Sequence, residues 1–162
     1  DLCCGTGAVG AALAAAVPGI RIYAADVDPA AVRCARRNLP ADAVFEGDLF
    51  DAVPPPLAGT IDILVANAPY VPTDAIGLMP PEARLYEAPV ALDGGEDGLN
   101  VQRRIVAEAG QWLAPGGALL IETSEGQAPT TAELFATAGL ATTVRHSDDF
   151  DSTIVIGTVP AQ

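Results

Sequence analysis

The chain has 162 residues, half of them apolar, and its 21 acidic side chains stand against eight arginines and no lysine, a formal net charge of −13. That length suits one domain with its own core, and no apolar run is long enough to span a membrane. The charge repels phosphate backbones, which argues against nucleic acid as a substrate, and the missing lysine excludes Schiff-base and P-loop lysine chemistry.

The opening "DLCCGTG" lacks an initiator Met and a signal peptide. It reads as the end of a strand whose earlier part is absent, so a fragment or trimmed chain is expected. A helix is predicted over Ala8 to Val17, stopped by Pro18 and Gly19, and then a strand from Arg21 to Asp26. Asp28 as N-cap and Pro29 at the first helical position start the next helix, which Pro40 ends. Residues 43–48 and 61–67 read as the third and fourth strands, with the flexible "PPPLAG" between them.

Residues 98–114 place Val101, Ile105, Ala109, Trp112 and Leu113 on one helical face, and Pro115-Gly116-Gly117 ends the pattern. A strand over 117–124, a helix near Thr130 to Ala138 ended by Gly139, and strands over 140–146 and 152–158 complete the chain. Alternating strand and helix implies a mostly parallel sheet. The last two strands are joined only by Ser147 to Asp151, too short for a parallel crossover, so they must pair antiparallel. No repeat or linker divides residues 1–162, and one domain is expected. Between Asn67 and Gly98 no periodicity is visible, and Pro69, Pro72, Pro80, Pro81 and Pro89 fall there. Such a long irregular segment in a compact domain predicts a substrate-facing lid.

Cys3, Cys4 and Cys34 lack metal-ligand spacing and His146 is the sole histidine, so no metal site and reduced, cytoplasmic cysteines are expected. The Arg36-Arg37 and Arg103-Arg104 pairs read as solvated helix faces, Trp112 as core, Glu125 to Gln127 as a strand-to-helix turn, and His146 as structural.

"GTGAVG", Gly5 to Gly10, fits a strand turning tightly into a helix with its backbone close to a ligand, although such turns also serve only to pack helix on strand. Asp26, at the carboxyl end of the second strand, is placed to accept both ribose hydroxyls. Asp28 is sufficiently explained as a cap. Asp48 could accept from an adenine amino group. Asp1, the glycines, Asp26, Asp48 and Asn67 all fall at the carboxyl ends of predicted parallel strands, the edge where open α/β sheets bind ligands.

The parallel sheet closing in an antiparallel hairpin resembles the seven-stranded class I methyltransferase fold, Rossmann-like with helices on both faces. "DLCCGTGAVGAALA", "AADVDPAAVRCARRN", "EGDLFDA", "IDILVANAPYVP", "ALDGGEDGLN" and "WLAPGGALLIETSEGQ", in this order, are similar to the protein-(glutamine-N5) methyltransferases of the HemK or PrmC family. The resemblance implies S-adenosyl-L-methionine as cofactor, with Asp1 and the loop Gly5, Thr6, Gly7, Ala8 and Val9 lining it. Asp26 and Val27 would lie at its ribose, Asp48 and Leu49 at its adenine, and Asn67 would serve both cofactor and acceptor. Asn67, Ala68, Pro69 and Tyr70 would hold the acceptor amide. The implied partner is a protein with an exposed glutamine, a peptide chain release factor, met by a monomer without membrane or nucleic acid.

An amide nitrogen is a poor nucleophile with a very weakly acidic proton, so a general base helps little. The Asn67 side-chain oxygen and the Ala68 carbonyl would instead accept the two N–H bonds as charge develops, while Tyr70 stacks on the amide plane. Two departures stand out: Ala68 replaces the first proline of Asn-Pro-Pro-Tyr, and Cys3 stands where many class I methyltransferases have a glycine. The family's N-terminal helical domain does not precede Asp1 either. Three other readings remain open: an adenine N6 methyltransferase of nucleic acid, an NAD-dependent oxidoreductase using Gly5 to Gly10, and a cofactor-binding module without catalysis.

Overall fold

A computed structural model describes residues 1–81 and 88–161. The chain divides into two units, Asp1–Leu57 and Ala58–Gln162. In the first, helix α1 covers Ala8–Ala16 and α2 covers Pro29–Asn38, while strands β1 (Ala24–Asp26) and β2 (Val44–Glu46) pair in parallel with Asp26 opposite Glu46. The expected first strand is a single parallel bridge, Leu2 to Ala25, supported by Ala25 N–H donating to the Asp1 carbonyl at 2.9 Å and Cys4 N–H to the Ala25 carbonyl at 3.1 Å.

Asp28 caps α2 as its sequence requires. Its carboxylate accepts from Ala30 N–H at 2.8 Å, Pro29 sits in the first turn, and Arg36 and Arg37 lie in the last turn, where cations favour the helix dipole. Arg36 is more than a solvated face, since it donates to the Val44 carbonyl at 3.0 Å and ties α2 to β2. Val32, Ala35, Leu39, Ala24, Val44 and Cys4 form the buried cluster, and Ala11 and Ile22 pack on it. Each fully buried branched side chain contributes about 1.5–3 kcal/mol.

In the second unit β3 (Ile61–Ala66), β4 (Leu113–Thr123), β6 (Ser152–Thr158) and β5 (Ala141–Ser147) form a sheet in the order β3-β4-β6-β5. β3 and β4 are parallel, whereas β6 is antiparallel to both its neighbours. The terminal hairpin is therefore antiparallel, as the short connection demands. Among its described residues this unit also has a short helix α3 (Pro89–Leu92), then α4 (Asn100–Trp112) and α5 (Ala128–Thr137). β6 alternates buried and half-buried residues, and Gly157 carries no side chain because a Cβ there would collide with the Phe135 ring.

Among the described residues six strands stand, and Leu2 adds the single bridge to Ala25 at the place expected for the first strand. Two expectations need correcting. β4 begins at Leu113, directly after α4, because Leu113 pairs with Ile61; Pro115 to Gly117 make an irregularity in that strand and do not precede it. The buried face of α4 is Gln102, Ile105, Val106 and Ala109, so a polar residue sits where periodicity allowed only apolar ones. The fully buried Gln102 is tolerated because Thr131 Oγ1 donates to its Oε1 at 2.8 Å and its Nε2 donates to Thr123 Oγ1 at 3.3 Å.

Candidate functional site

In the first unit the loop before α1 alternates handedness. Cys3, Gly5 and Gly7 have φ of 54°, 53° and 75°, and the residues between them are not left-handed. Here the N–H groups so turned are used within the protein: Cys4 donates to the Ala25 carbonyl, Gly5 to the Asp26 carboxylate and Gly7 to the Cys4 carbonyl, which fixes the loop's shape. The three glycines of the motif do different work. A Cβ on Gly5 would meet nothing within 4 Å, whereas on Gly7 it would lie 3.0 Å from Leu39 Cδ1 and on Gly10 2.9 Å from Ile22 Cγ2. Gly10 is thus a packing glycine and Gly5 an open one. Thr6, Ala8 and Val9 are exposed beside it, and α1 begins without a side-chain cap.

Asp26 is held from two sides, its Oδ2 accepting from Gly5 N–H at 2.8 Å and its Oδ1 from Asp28 N–H at 2.9 Å. A carboxylate offers about four acceptor directions, so two remain for a diol after these bonds. Val27 beside it is 48% exposed, an apolar side chain left uncovered next to a fixed acceptor. Asp48 is exposed after β2, and the buried Leu49 takes φ 48°. Asp1 is partly engaged already: its Oδ2 accepts from Gly10 N–H at 3.1 Å and so anchors the first turn of α1. Burial first, and then the carboxylates of Asp26 and Asp48, push the Cys3 thiol up to about 12; burial and Asp26 push Cys4 to about 11. Both stay neutral thiols at physiological pH, unsuited to nucleophilic work.

In the second unit β3 delivers Asn67 to its carboxyl end, exposed, while Ala68 and Pro69 are buried and Tyr70 is half-buried. The segment expected as a structureless lid is closed at its base. Val71 bridges Asp93 in parallel, Val71 N–H donates to the Leu92 carbonyl at 3.1 Å, and Gly94 N–H donates back to the Val71 carbonyl at 2.9 Å. Thr73 N–H to the Gly95 carbonyl and Asn100 N–H to the Gly94 carbonyl, both 2.9 Å, extend this clip into α4. Its middle, 82–87, lies outside the described residues.

"DGGEDGLN" is the sequence of that clip. The Asp93 carboxylate accepts from Gly95 N–H at 2.9 Å and from Thr73 Oγ1 at 2.7 Å, and these bonds hold it below the usual carboxylate range. Asp97 accepts from Arg103 Nη1 at 2.9 Å and Leu99 N–H at 3.1 Å, and its carboxyl falls to about 2 chiefly through the Arg103 bond. Arg103 therefore has a partner and is not just part of a solvated face. Neither aspartate is a useful proton acceptor near neutrality. Asn67 itself, an exposed neutral carboxamide at a strand end, suits holding a planar N–H donor rather than removing its proton.

In the sequence Gln127 shows only as part of a strand-to-helix turn. Its Nε2 donates to the Tyr70 carbonyl at 2.9 Å and to the Asp97 carbonyl at 3.0 Å. No local pattern signals this, because the partners lie 57 and 30 residues away. Among the described residues no cluster of three His, Cys, Asp or Glu could hold a metal, and no helix is long and apolar enough to cross a membrane.

Comparison with known proteins agrees with this chemistry. Residues 1–96 match the methyltransferase small domain family. The release factor glutamine methyltransferase of Gloeobacter violaceus is 40% identical over 142 residues, covering 84% of this chain and 49% of that protein. A 4-amino-L-phenylalanine/4-methylamino-L-phenylalanine methyltransferase of Streptomyces pristinaespiralis is also 40% identical, over 143 residues, 86% of this chain and 48% of that protein. The chain thus spans about half the length of these curated relatives. In fold it is similar to a methyltransferase from Pyrococcus furiosus, with a TM-score of 0.71 at 18% identity, over 97% of this chain and 72% of that one.

Proposed function

Because the chain belongs to the methyltransferase small domain family, we propose that it transfers a methyl group from S-adenosyl-L-methionine to the N5 amide nitrogen of a protein glutamine, in a peptide chain release factor. The observation that carries this is Asn67, presented exposed at the end of β3 with Ala68 and Pro69 buried behind it. Residues 1–162 act together as one domain, a monomer of the cytoplasm, in a seven-stranded class I sheet whose first strand includes Leu2.

The first unit suits the cofactor. The turn at Gly5 leaves open space for it, the remaining acceptor directions of Asp26 fit two ribose hydroxyls, and the exposed Val9 and Val27 supply apolar surface. Asp1 acts through Gly10 and holds this loop in place, while Asp48 accepts from the adenine amino group. When bound, the cofactor supplies an electrophilic sulfonium methyl. The chain's own residues orient the acceptor: Asn67 Oδ1 and the Ala68 carbonyl each accept one N–H of the amide, and Tyr70 packs on its plane. As positive charge develops on nitrogen both hydrogen bonds strengthen, which is the condition for lowering the barrier. The proton leaves afterwards, from an acid strong enough for water to take it.

A second reading rests on the Streptomyces pristinaespiralis relative, which matches as well as the release-factor enzymes do. The substrate in that enzyme's name is an arylamine, and an arylamine shares with an amide a nitrogen whose lone pair is delocalised into a planar group. The same two acceptors would serve it. Incubating the full-length protein with methyl-labelled S-adenosyl-L-methionine and either a release-factor domain or 4-amino-L-phenylalanine separates the two. Label on one glutamine supports the first reading, label on the amino acid alone replaces it with the second, and label on neither refutes both. Calorimetric binding of NAD in preference to S-adenosyl-L-methionine would refute the cofactor as well.

A further inference from the structure

We infer that Gln127 is a positioning residue for the acceptor site, fixing the Asn67–Tyr70 backbone through the Tyr70 carbonyl; this rests on the acceptor role proposed above. The four residues are strung between two points fixed by one strand and the turn after it. At one end Ala66 pairs with Ile121 in β4. At the other, four residues past the end of β4, Gln127 Nε2 donates to the Tyr70 carbonyl at 2.9 Å. The same nitrogen donates to the Asp97 carbonyl at 3.0 Å, so one amide staples the catalytic segment to the clip.

The amide cannot be reversed. Both partners of Nε2 are carbonyl oxygens, which accept only, and Oε1 is engaged by the Ser124 hydroxyl at 2.8 Å. Ser124 and Gln127 are joined a second time, through Gln127 N–H donating to the Ser124 carbonyl at 3.1 Å, which sets the side chain's origin. Behind them Thr123, Gln102 and Thr131 form a buried chain of hydrogen bonds rooted in α4 and α5. Space is also reserved: a Cβ on Gly98 would collide with both the Tyr70 carbonyl and Gln127 Nε2. The staple matters more here because Ala68 lacks the fixed φ that a proline would impose on this segment.

Two substitutions in the full-length protein test it. Gln127→Leu removes both donors at similar size, and Gln127→Glu sets a carboxylate against two carbonyls. With the release-factor domain as acceptor, Gln127→Leu should lower kcat about tenfold to a hundredfold, as expected for a misplaced reacting group, with the acceptor KM within about threefold. S-adenosyl-L-methionine affinity should not change. Gln127→Glu should be as poor at pH 8 but recover several-fold toward pH 6, because a protonated carboxyl can again donate to one carbonyl; the wild type and Gln127→Leu should show no such rise. Independently of activity, amide exchange at Val71 and Gly94 should accelerate in Gln127→Leu while α4 stays protected. Unchanged exchange at those amides, or accelerated exchange with unchanged kcat, overturns the proposal and leaves the transfer reading standing. Failure of the wild type to methylate any acceptor removes both.

Discussion

Gly5–Gly10 and Gly94–Gly98 are both glycine-rich turns that open a helix, and written out they look interchangeable. In the first, Gly5 faces open space and its N–H is spent on holding Asp26. In the second, a Cβ on Gly94 would press on the Gly98 backbone, on Gly95 on the Asn100 side chain, and on Gly98 on Tyr70 and Gln127. Gly5 is bare where space is open, whereas Gly7 and Gly10 of the same turn, like Gly94, Gly95 and Gly98, are bare because the protein already fills the space. A glycine motif therefore carries two physical meanings, and only the surroundings of each Cα decide between them.

The contrast can be broken or sharpened by substitution. The largest effect is expected at the residue the clip supports. Asn67→Ala should lower kcat by about 10²–10³, the scale for losing one preorganised transition-state partner. Being exposed, the same change should move stability by no more than about 0.5 kcal/mol in a denaturant titration. Next, Gly98→Ala should destabilise by about 3 kcal/mol through collision and a left-handed φ of 79°, whereas Gly5→Ala should cost only about 1–2 kcal/mol, from its φ alone. Equal losses in the two melts would erase the distinction drawn between the turns.

Asp26→Asn tests the open turn from the other side. Turning one oxygen into an N–H donor beside the Gly5 or Asp28 amide should weaken S-adenosyl-L-methionine binding by about tenfold or more in calorimetry. Cys3→Gly should stabilise by about 1 kcal/mol, since φ 54° strains any residue with a Cβ; a loss would mean that packing of the thiol outweighs the strain.

The smallest effect concerns the clip's ion pair. The folded Asp97 carboxyl lies near 2 against an ordinary value of 3.8, so its contribution is complete above 3.8 and is lost as pH falls through about 2. The melting difference between the wild type and Asp97→Asn should accordingly shrink from pH 4 to pH 2. Because Asp97 and Arg103 are both substantially exposed, that difference is modest at any pH and smaller in high salt.

Much of the architecture is legible in the sequence alone. Asp28 and Pro29 announced α2, the five-residue link between the last strands dictated their antiparallel pairing, and the end of β3 delivered Asn67 where expected. These are local rules, decided by a few adjacent residues. Leu113 entering β4 beside Ile61, Gln102 buried on an apolar face, and Gln127 bonded to Tyr70 all depend on partners dozens of residues distant. The folded base of the supposed lid was hidden for the same reason: Val71 and Asp93 complete each other, and neither alone has a strand's pattern.

The outer edge of β5 is a further case of placement mattering more than composition. This strand ends the order β3-β4-β6-β5, most of its residues are exposed, and Val144 and Phe150 show apolar surface there. An uncovered edge is an invitation to stack copies into ribbons. Arg145 and His146 on the strand, and Asp148, Asp149 and Asp151 in the adjoining turn, put charge along that rim. That charge keeps the rim from pairing with a second copy of itself, a matter of colloidal behaviour that no assay of a single molecule would register.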